Sequence, residues 1–254
     1  MPEKTVTAAV LIIGNEVLSG RTQDSNVQYL AQGLNDLGVR LKEVRVVPDV
    51  EDDIVAAVNA LRQRFDYLFT TGGIGPTHDD MTSACIAKAF GLALLRHPKA
   101  EVLLRDRYKP EDITEARLKM AETPEGASLI ENPVSVAPGY RVENVFVLAG
   151  VPRIMQAMFD SLKGDLVGGA PVLSHSTDAY VPEGVVAGPL GELQKAFPDV
   201  DIGSYPFVRS ERLGTCLVAR SPDQSRLDVV ADAIEALVRD LAGEPNKPKE
   251  AKDS

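Results

Sequence analysis

Short apolar segments alternate with amphipathic segments from Thr5 to about Ala170, and this alternation is the strongest constraint on the fold. Runs such as VTAAVLIIG (Val6–Gly14), DYLFTT and VFVLAG (Val145–Gly150) have the length and composition of buried strands. Strands that are separated by helices pair in parallel, and helices then cover both faces of the sheet. The sequence therefore predicts an α/β domain over residues 1–168.

The segments between these strands predict helices with recognisable ends. Ser25 is a candidate N-cap for a helix that stops at Gly38, and Asp49 opens a second helix. A more polar helical region is expected from about Pro98 to Ala121. After Gly169 the pattern changes to strand, helix, strand, strand, helix, which predicts a small α+β domain over residues 169–242. The polar segment 243–254 is expected to be a disordered tail.

The charge balance restricts the partners. The chain has 37 acidic and 27 basic residues and a net charge of −10, which argues against a general nucleic-acid binder. The N-terminal apolar run is too short to span a membrane and lacks a cleavage site, so we expect a cytoplasmic protein with no membrane partner. Cys85 and Cys216 have no metal-ligand spacing and are interpreted as core residues.

A glycine loop follows the DYLFTT strand. In an open parallel sheet, loops at the carboxyl ends of strands bind ligands, and the loop Gly72-Gly73-Ile74-Gly75 lies at such an end. Glycines let the backbone approach a ligand closely, and a phosphate suits backbone amides. Neither the Walker motif nor the GxGxxG fingerprint is present. The alternative is that the loop only turns the chain.

Two acids end this loop, and other acids follow neighbouring strands. Asp79 and Asp80 next to a phosphate are repulsive unless a cation or a positive helix end lies between them, so we expect a carboxylate–Mg²⁺–phosphate arrangement. The alternative is that one aspartate caps the helix that begins near Thr82. A parallel sheet would bring these acids to one edge together with three others, which are Glu16, Asp24 and Asp49.

The sequence resembles a known superfamily at four segments. These segments are GNEVLSGRTQDSN (14–26), TTGGIGPTHDDMT (70–82), LKMAETPEGASLIENPVSVAPGY (118–140) and LAGVPRIMQAMF (148–159). They are similar to the molybdopterin-binding MoaB/Mog fold, and more closely to the N-terminal part of competence/damage-inducible protein A, CinA. The resemblance implies a three-layer α/β domain with a parallel or mixed sheet, followed by a small KH-like domain. It also implies a homo-oligomer, either a dimer or a trimer.

The resemblance further implies a phosphorylated small-molecule ligand and the residues that contact it. Asp80, Asp49 and Lys119 would be catalytic, and Asp80, Asp79 and Asp49 would hold Mg²⁺ or another divalent ion such as Mn²⁺ or Co²⁺. The expected ligand-binding residues are Gly72, Gly73, Gly75, Thr77, His78, Glu16, Asn26, Arg117, Gly150 and Pro152. Asn15 stands where the family usually has an aspartate, and Ser135 and Ala149 replace a glycine and a proline.

Three functions are open at this stage. The first is metal-dependent hydrolysis of a nucleotide pyrophosphate, such as ADP-ribose to AMP and ribose 5-phosphate, which is the activity of the CinA-like branch. The second is a protein that carries molybdopterin or a nucleotide without turning it over. Asn15 favours this function, because loss of a carboxylate weakens metal-dependent chemistry and leaves binding intact. The third is molybdopterin adenylylation. For Arg117 and Lys119, which lie in a highly charged segment, the alternative is ordinary solvation.

Overall fold

The computed structural model describes residues 5–242. These residues form two compact units, which divide between Gly169 and Ala170. The segment for which a disordered tail is predicted, residues 243–254, lies outside the described residues.

The first unit alternates strands and helices over most of its length. In chain order its elements are β1 (Val6–Ile13), α1 (Asn15–Leu18), α2 (Asn26–Asp36), β2 (Val39–Val47), α3 (Glu51–Arg64), β3 (Tyr67–Thr71), α4 (Thr82–Phe90), β4 (Leu94–Arg96), α5 (Pro98–Arg107), α6 (Glu115–Lys119), β5 (Glu122–Pro124), β6 (Ser128–Ile130), β7 (Gly139–Val142), β8 (Val145–Leu148) and α7 (Pro152–Leu162). Short 3₁₀ turns lie at Pro110–Asp112 and Lys163–Asp165.

A six-stranded mixed sheet organises this unit. Its strand order is β2-β1-β3-β8-β7-β6. The first four strands are parallel, and β7 and β6 add to the edge as antiparallel strands. The chain leaves β1 toward β2 on one side and returns to β3 on the other side of β1. The ends of β1 and β3 therefore form a topological switch point, where open α/β sheets place their ligands.

Two apolar cores lie on opposite faces of the sheet. On one face α3 and α4 pack against the sheet through residues such as Ile54, Leu61 and Ile86. On the other face α2 and α7 pack through Leu34 and Phe159, among others. Side chains of β1 alternate between the two cores, as expected for a strand that is buried on both faces. The predicted three-layer α/β class is confirmed.

Several local expectations are corrected. The polar region from Pro98 to Ala121 is not one helix, because it divides into α5, a 3₁₀ turn that begins at Pro110, and α6. Ser25 makes no side-chain cap for α2, and Asp24 accepts the hydrogen bond from the Val27 amide instead, at 2.9 Å. Four short strands from β4 to β7 were not predicted, since segments of three or four residues give no clear period.

The second unit has the expected order of strand, helix, strand, strand, helix. Its elements are β9 (Leu173–Ala179), α8 (Glu183–Ala196), β10 (Asp201–Arg209), β11 (Arg212–Ser221) and α9 (Gln224–Ala242). The strands form an antiparallel sheet in the order β10-β11-β9. Apolar residues of α8 and α9 cover one face of this sheet. Across residues 5–242 no helix combines the length and apolar character that a membrane crossing requires.

Candidate ligand-binding cleft

A cleft of about 390 Å³ opens at the carboxyl ends of β1, β3 and β8. Most of the predicted site residues line it. These are Glu16, Asp49, Gly72, Gly73, Gly75, Asp79, Asp80 and Gly150. The structure therefore brings together residues that the sequence places on four separate loops.

The glycine loop is anchored to the start of α4. The Thr82 hydroxyl donates to the Gly72 carbonyl at 2.9 Å, and the Thr82 amide donates to the Gly73 carbonyl at 3.0 Å. Gly72 and Gly73 have φ angles of 101° and 67°, which an L side chain adopts only with strain. A Cβ atom on Gly73 would lie 2.2 Å from the Thr82 hydroxyl oxygen. The loop conformation therefore depends on glycine at both positions.

Several backbone amides at the cleft are available to a ligand. Within residues 5–242, the amides of Gly73, Ile74 and Gly75 donate to no protein acceptor. The carbonyl groups of Gly72 and Gly73 are held by Thr82, so this loop directs its carbonyls toward α4. The N-terminus of α7 also reaches the cleft, since Val151 lines it. Free amides and a helix N-terminus favour an anionic group.

Two of the lining carboxylates also organise the loops around them. One oxygen of Asp49 accepts a hydrogen bond from the Asn15 backbone amide at 2.9 Å. One oxygen of Asp80 accepts from both the amide and the hydroxyl of Thr77, and the amide distance is 2.8 Å. Neither Asp79 nor Asp80 caps α4, whose N-cap position is Met81. The contact to Asp49 uses the backbone of Asn15, so it would be present with either asparagine or aspartate there.

Asp79 and His78 lie at the exposed rim. The Thr77 hydroxyl lies between the carboxylates of Asp79 and Asp80, and together with the backbone amide of Asp79 it holds the pKa of the Asp79 carboxyl below its usual value. The His78 side chain is 99% exposed and its Nδ1 lies 4.0 Å from Asp79 Oδ1. In the described part of the chain, no group of three or more His, Cys, Asp or Glu residues is arranged to hold a metal ion.

The two predicted basic residues have different positions. Lys119 lines a small cavity beside the glycine loop, and its Nζ donates to the Thr77 carbonyl at 2.7 Å. The structure does not bring Arg117 to the cleft. Its guanidinium donates to the Asp112 carbonyl and stacks 4.4 Å from the Tyr108 ring centroid. Arg117 thus joins α6 to the preceding turn.

Two further predicted residues lie behind the cleft. Asn26 and Pro152 line a second cavity, of about 40 Å³, on the side of α2 and α7. The Asn26 side-chain Nδ2 donates to the Gly150 carbonyl at 2.8 Å. Asn26 therefore holds the loop that follows β8 against the start of α2.

Sequence reasoning missed one wall of the cleft. The loop between β6 and β7 contributes Asn132, Ser135 and Ala137. Asn132 is 7% exposed, and its Oδ1 accepts from the amides of Val134 and Ser135 at 3.1 Å each. The Asn-Pro-Val-Ser sequence is a turn signal that could have marked this loop. Its proximity to the glycine loop depends on the antiparallel edge strands, which were not predicted.

The fold and the cleft define a three-layer α/β domain with a glycine-loop pocket at its topological switch point. Residues 9–173 match the model of a family described as "probable molybdopterin binding domain". The chain belongs to this family. Residues 171–244 match a second family model, which is described as the middle domain of FAD synthase.

Similar proteins agree with this assignment. A protein of Aeropyrum pernix is 38% identical over 215 residues, which cover 80% of each chain. A protein of Pyrobaculum calidifontis is 36% identical over 211 residues, or 79% of this chain and 80% of the relative. The crystal structure of CinA from Thermoplasma acidophilum, described as a protein of unknown function, is 35% identical with a TM-score of 0.60. It covers 64% of this chain and 99% of its own. The resemblance to CinA and the MoaB/Mog proteins is confirmed.

Proposed function

We propose that the cleft binds a phosphorylated pterin of the molybdopterin class, with the phosphate on the amides of Gly73, Ile74 and Gly75. The observation that carries this proposal is the set of unpaired amides in a loop whose carbonyls are held by Thr82. Membership of a molybdopterin-binding family supports the choice of a pterin as the rest of the ligand.

The shape and the polarity of the cleft support the same ligand. Its volume of about 390 Å³ is within the range of small-molecule sites. Its lining includes the apolar side chains of Ile13, Ile154 and Met158, and apolar side chains suit a planar ring. The amides and the N-terminus of α7 suit the phosphate. The cleft therefore offers both apolar side chains and backbone amides to such a ligand.

The binding proposal is tested by calorimetric titration with two probes. One is 6-hydroxymethylpterin phosphate, and the other is the same pterin without phosphate. We expect at least tenfold tighter binding of the phosphorylated compound, and we expect inorganic phosphate to compete with it. Equal affinities, or no binding of either compound, would show that the loop is not a phosphate site.

A second candidate function is metal-dependent hydrolysis of a pyrophosphate such as ADP-ribose. The observation that favours it is that Asp49 and Asp80, from loops after different strands, line the same cleft as the free amides. Each of these carboxylates uses one oxygen for a backbone contact, which leaves its other oxygen for a cation. Mg²⁺ is often bound through one or two carboxylates together with phosphate oxygens and water, so this donor set fits such an ion. The ion would supply charge neutralisation at the phosphoryl oxygens and a more acidic water.

The hydrolase candidate is tested by incubation with ADP-ribose and Mg²⁺, Mn²⁺ or Co²⁺, followed by measurement of AMP. The Asp80→Asn variant should lose most of the turnover and its dependence on the metal concentration. Asp52→Asn is the matched control, because it removes the same charge from a side chain that is 93% exposed on α3. If no AMP forms with any of the metals and the pterin phosphate binds tightly, the hydrolase candidate is wrong and only the binding function stands.

A further inference from the structure

The second cavity, which Asn26 and Pro152 line, contains polar residues that have no role in the proposed phosphate site. It measures about 40 Å³ and shares Ile13, Glu16, Gly72 and Gly150 with the main cleft. A ligand in the main cleft could therefore extend one small group past Gly72 and Gly150. A cavity needs only about 10–15 Å³ on this measure to hold one water molecule, so an amino group fits.

Two residues in the lining of this cavity each carry a buried polar atom that lacks a partner. Asn26 and Thr71 are 4% and 1% exposed. Among the residues that the structure describes, Asn26 Oδ1 and Thr71 Oγ1 form no hydrogen bond. A buried polar atom that is left unpaired is unfavourable, and most buried polar atoms in proteins are paired. Because Asn26 and Thr71 both line the cavity, a group that is bound there would supply these atoms with a partner.

The orientation of the Asn26 side chain is fixed by its neighbour. The Gly150 carbonyl can only accept a hydrogen bond, so the amide nitrogen of Asn26 must face it, as observed at 2.8 Å. The amide oxygen is consequently left over as an acceptor. If the Asn26 amide were flipped, its oxygen would face the carbonyl oxygen of Gly150, and two acceptors form no hydrogen bond.

The rest of the lining includes a carboxylate at the entrance to the cavity. The Glu16 carboxylate lies where the cavity meets the main cleft, and within residues 5–242 it forms no side-chain hydrogen bond or ion pair. It folds back over Gly14, since a Cβ atom at Gly14 would lie 2.6 Å from both carboxylate oxygens. A carboxylate, an amide oxygen and a hydroxyl together suit a group with several N–H donors.

We propose that this cavity recognises the amino edge of the ligand's heterocycle. The exocyclic 2-amino group of a pterin would donate to Asn26 Oδ1 and Thr71 Oγ1, while Glu16 accepts from the adjoining ring N–H. This inference rests on the proposed pterin phosphate ligand and names the residues that select its ring. It also gives Glu16 a role in ring recognition that requires no metal ion.

The test compares 6-hydroxymethylpterin phosphate with the corresponding lumazine phosphate, in which an oxo group replaces the 2-amino group. Calorimetric titration of the wild-type protein should show at least tenfold tighter binding of the pterin, because the oxo group of the lumazine would face the amide oxygen of Asn26, and two acceptors form no hydrogen bond. Thr71→Val, which keeps the side-chain volume and removes the hydroxyl, should reduce this preference several-fold.

The chain offers a matched control in the adjacent residue. Thr70 is 0% exposed on the same strand, its hydroxyl is also unpaired in the described structure, and it does not line the cavity. Thr70→Val should keep the full preference. Glu16→Gln, at an exposed position where folding is not at risk, should weaken pterin binding more than lumazine binding.

The outcomes separate this inference from the proposed function. If both compounds bind the wild type equally and phosphate competes with each, the phosphate site stands and the amino-edge site is wrong. If Thr71→Val weakens the binding of both compounds equally, Thr71 only maintains the structure of the pocket, and the inference is wrong. If neither compound binds the wild type, both proposals fail.

Discussion

The hydroxyl of Thr82 donates to the carbonyl of Gly72 at 2.9 Å, and this buried bond connects the start of α4 to the glycine loop. Thr82 is fully buried, so neither group has access to water. The bond fixes a loop that its own glycines would otherwise leave free to move. The conformation of the loop thus depends on a helix residue ten positions further along the chain.

Removal of this hydroxyl should affect both stability and ligand binding. Thr82→Val keeps the shape of the side chain but leaves the Gly72 carbonyl buried without this donor, and we expect a loss of about 1–3 kcal/mol in the free energy of unfolding. Binding of the pterin phosphate should weaken as well. Urea denaturation and titration measure the two effects. Thr82→Ser retains the hydroxyl and loses only a buried methyl group, so it should bind the pterin phosphate as the wild type does. Weakening of binding as large as that in Thr82→Val would contradict the role of the bond.

Gly73 and Gly91 provide a matched pair of substitutions. Both have a φ angle of 67°, but a Cβ atom would lie 2.2 Å from Thr82 Oγ1 at Gly73 and would meet nothing within 4 Å at Gly91. Gly91→Ala should therefore cost only the backbone strain, about 1–2 kcal/mol. Gly73→Ala should cost about 1–3 kcal/mol more because of the steric conflict, and it should weaken phosphate binding. Similar losses in the two variants, measured by urea denaturation, would show that the loop is not tightly packed against Thr82.

A buried carboxylate in the second unit gives an independent prediction. Asp178 is 2% exposed and pairs with Arg209, whose side chain is 54% exposed. Arg209→Ala should destabilise the protein by about 2 kcal/mol, because it leaves a buried charge without its partner. Arg212→Ala is the control, since Arg212 stacks 4.1 Å from the Tyr180 ring centroid and should cost about 0.5 kcal/mol.

A second substitution checks the cause of that loss. If the charge of Asp178 is responsible, Asp178→Asn combined with Arg209→Ala should be more stable than Arg209→Ala alone. An equal or greater loss in the double variant would instead assign the effect to the packing of the arginine stem.

Ionisation of the Cys85 thiol in the unfolded chain should lower the free energy of unfolding in alkaline solution. Burial raises the pKa of the Cys85 thiol from 9.0 to about 11. Between these pH values the unfolded chain releases the proton and the folded protein retains it, so the free energy of unfolding decreases as the pH rises. Urea denaturation at several pH values from 8 to 11 would measure the slope. Cys85→Ala should have a shallower slope, and an unchanged slope would exclude a contribution from this thiol.

The sequence predicted the parts of the fold that have a strong hydrophobic pattern. β1, β3 and β8 are continuous apolar runs, and α2 and α7 present clear apolar faces, so their types and order followed from burial alone. The edge strands β6 and β7 are short and acquire their structure by pairing with β8. This pairing is a tertiary effect that no local pattern reveals.

The candidate site was predictable where it depends on the topology. Parallel strands bring their carboxyl ends together, so the convergence of Glu16, Asp49 and Asp80 followed from the order of the elements. The partners of individual side chains did not follow in this way. Asp80 binds Thr77 within its own loop, and Asn26 binds the carbonyl of Gly150. These contacts depend on loop conformations that the residue types alone leave open.

The bond between Asn26 and Gly150 joins positions that are 124 residues apart in the chain. The pocket wall that it forms can exist only after β1, β3 and β8 have come together, so no isolated fragment of the first unit should retain the affinity of the whole. Occupancy of the pocket would in turn draw the folding equilibrium toward the native state. Ligand binding would thus require, and report, complete folding of the first unit.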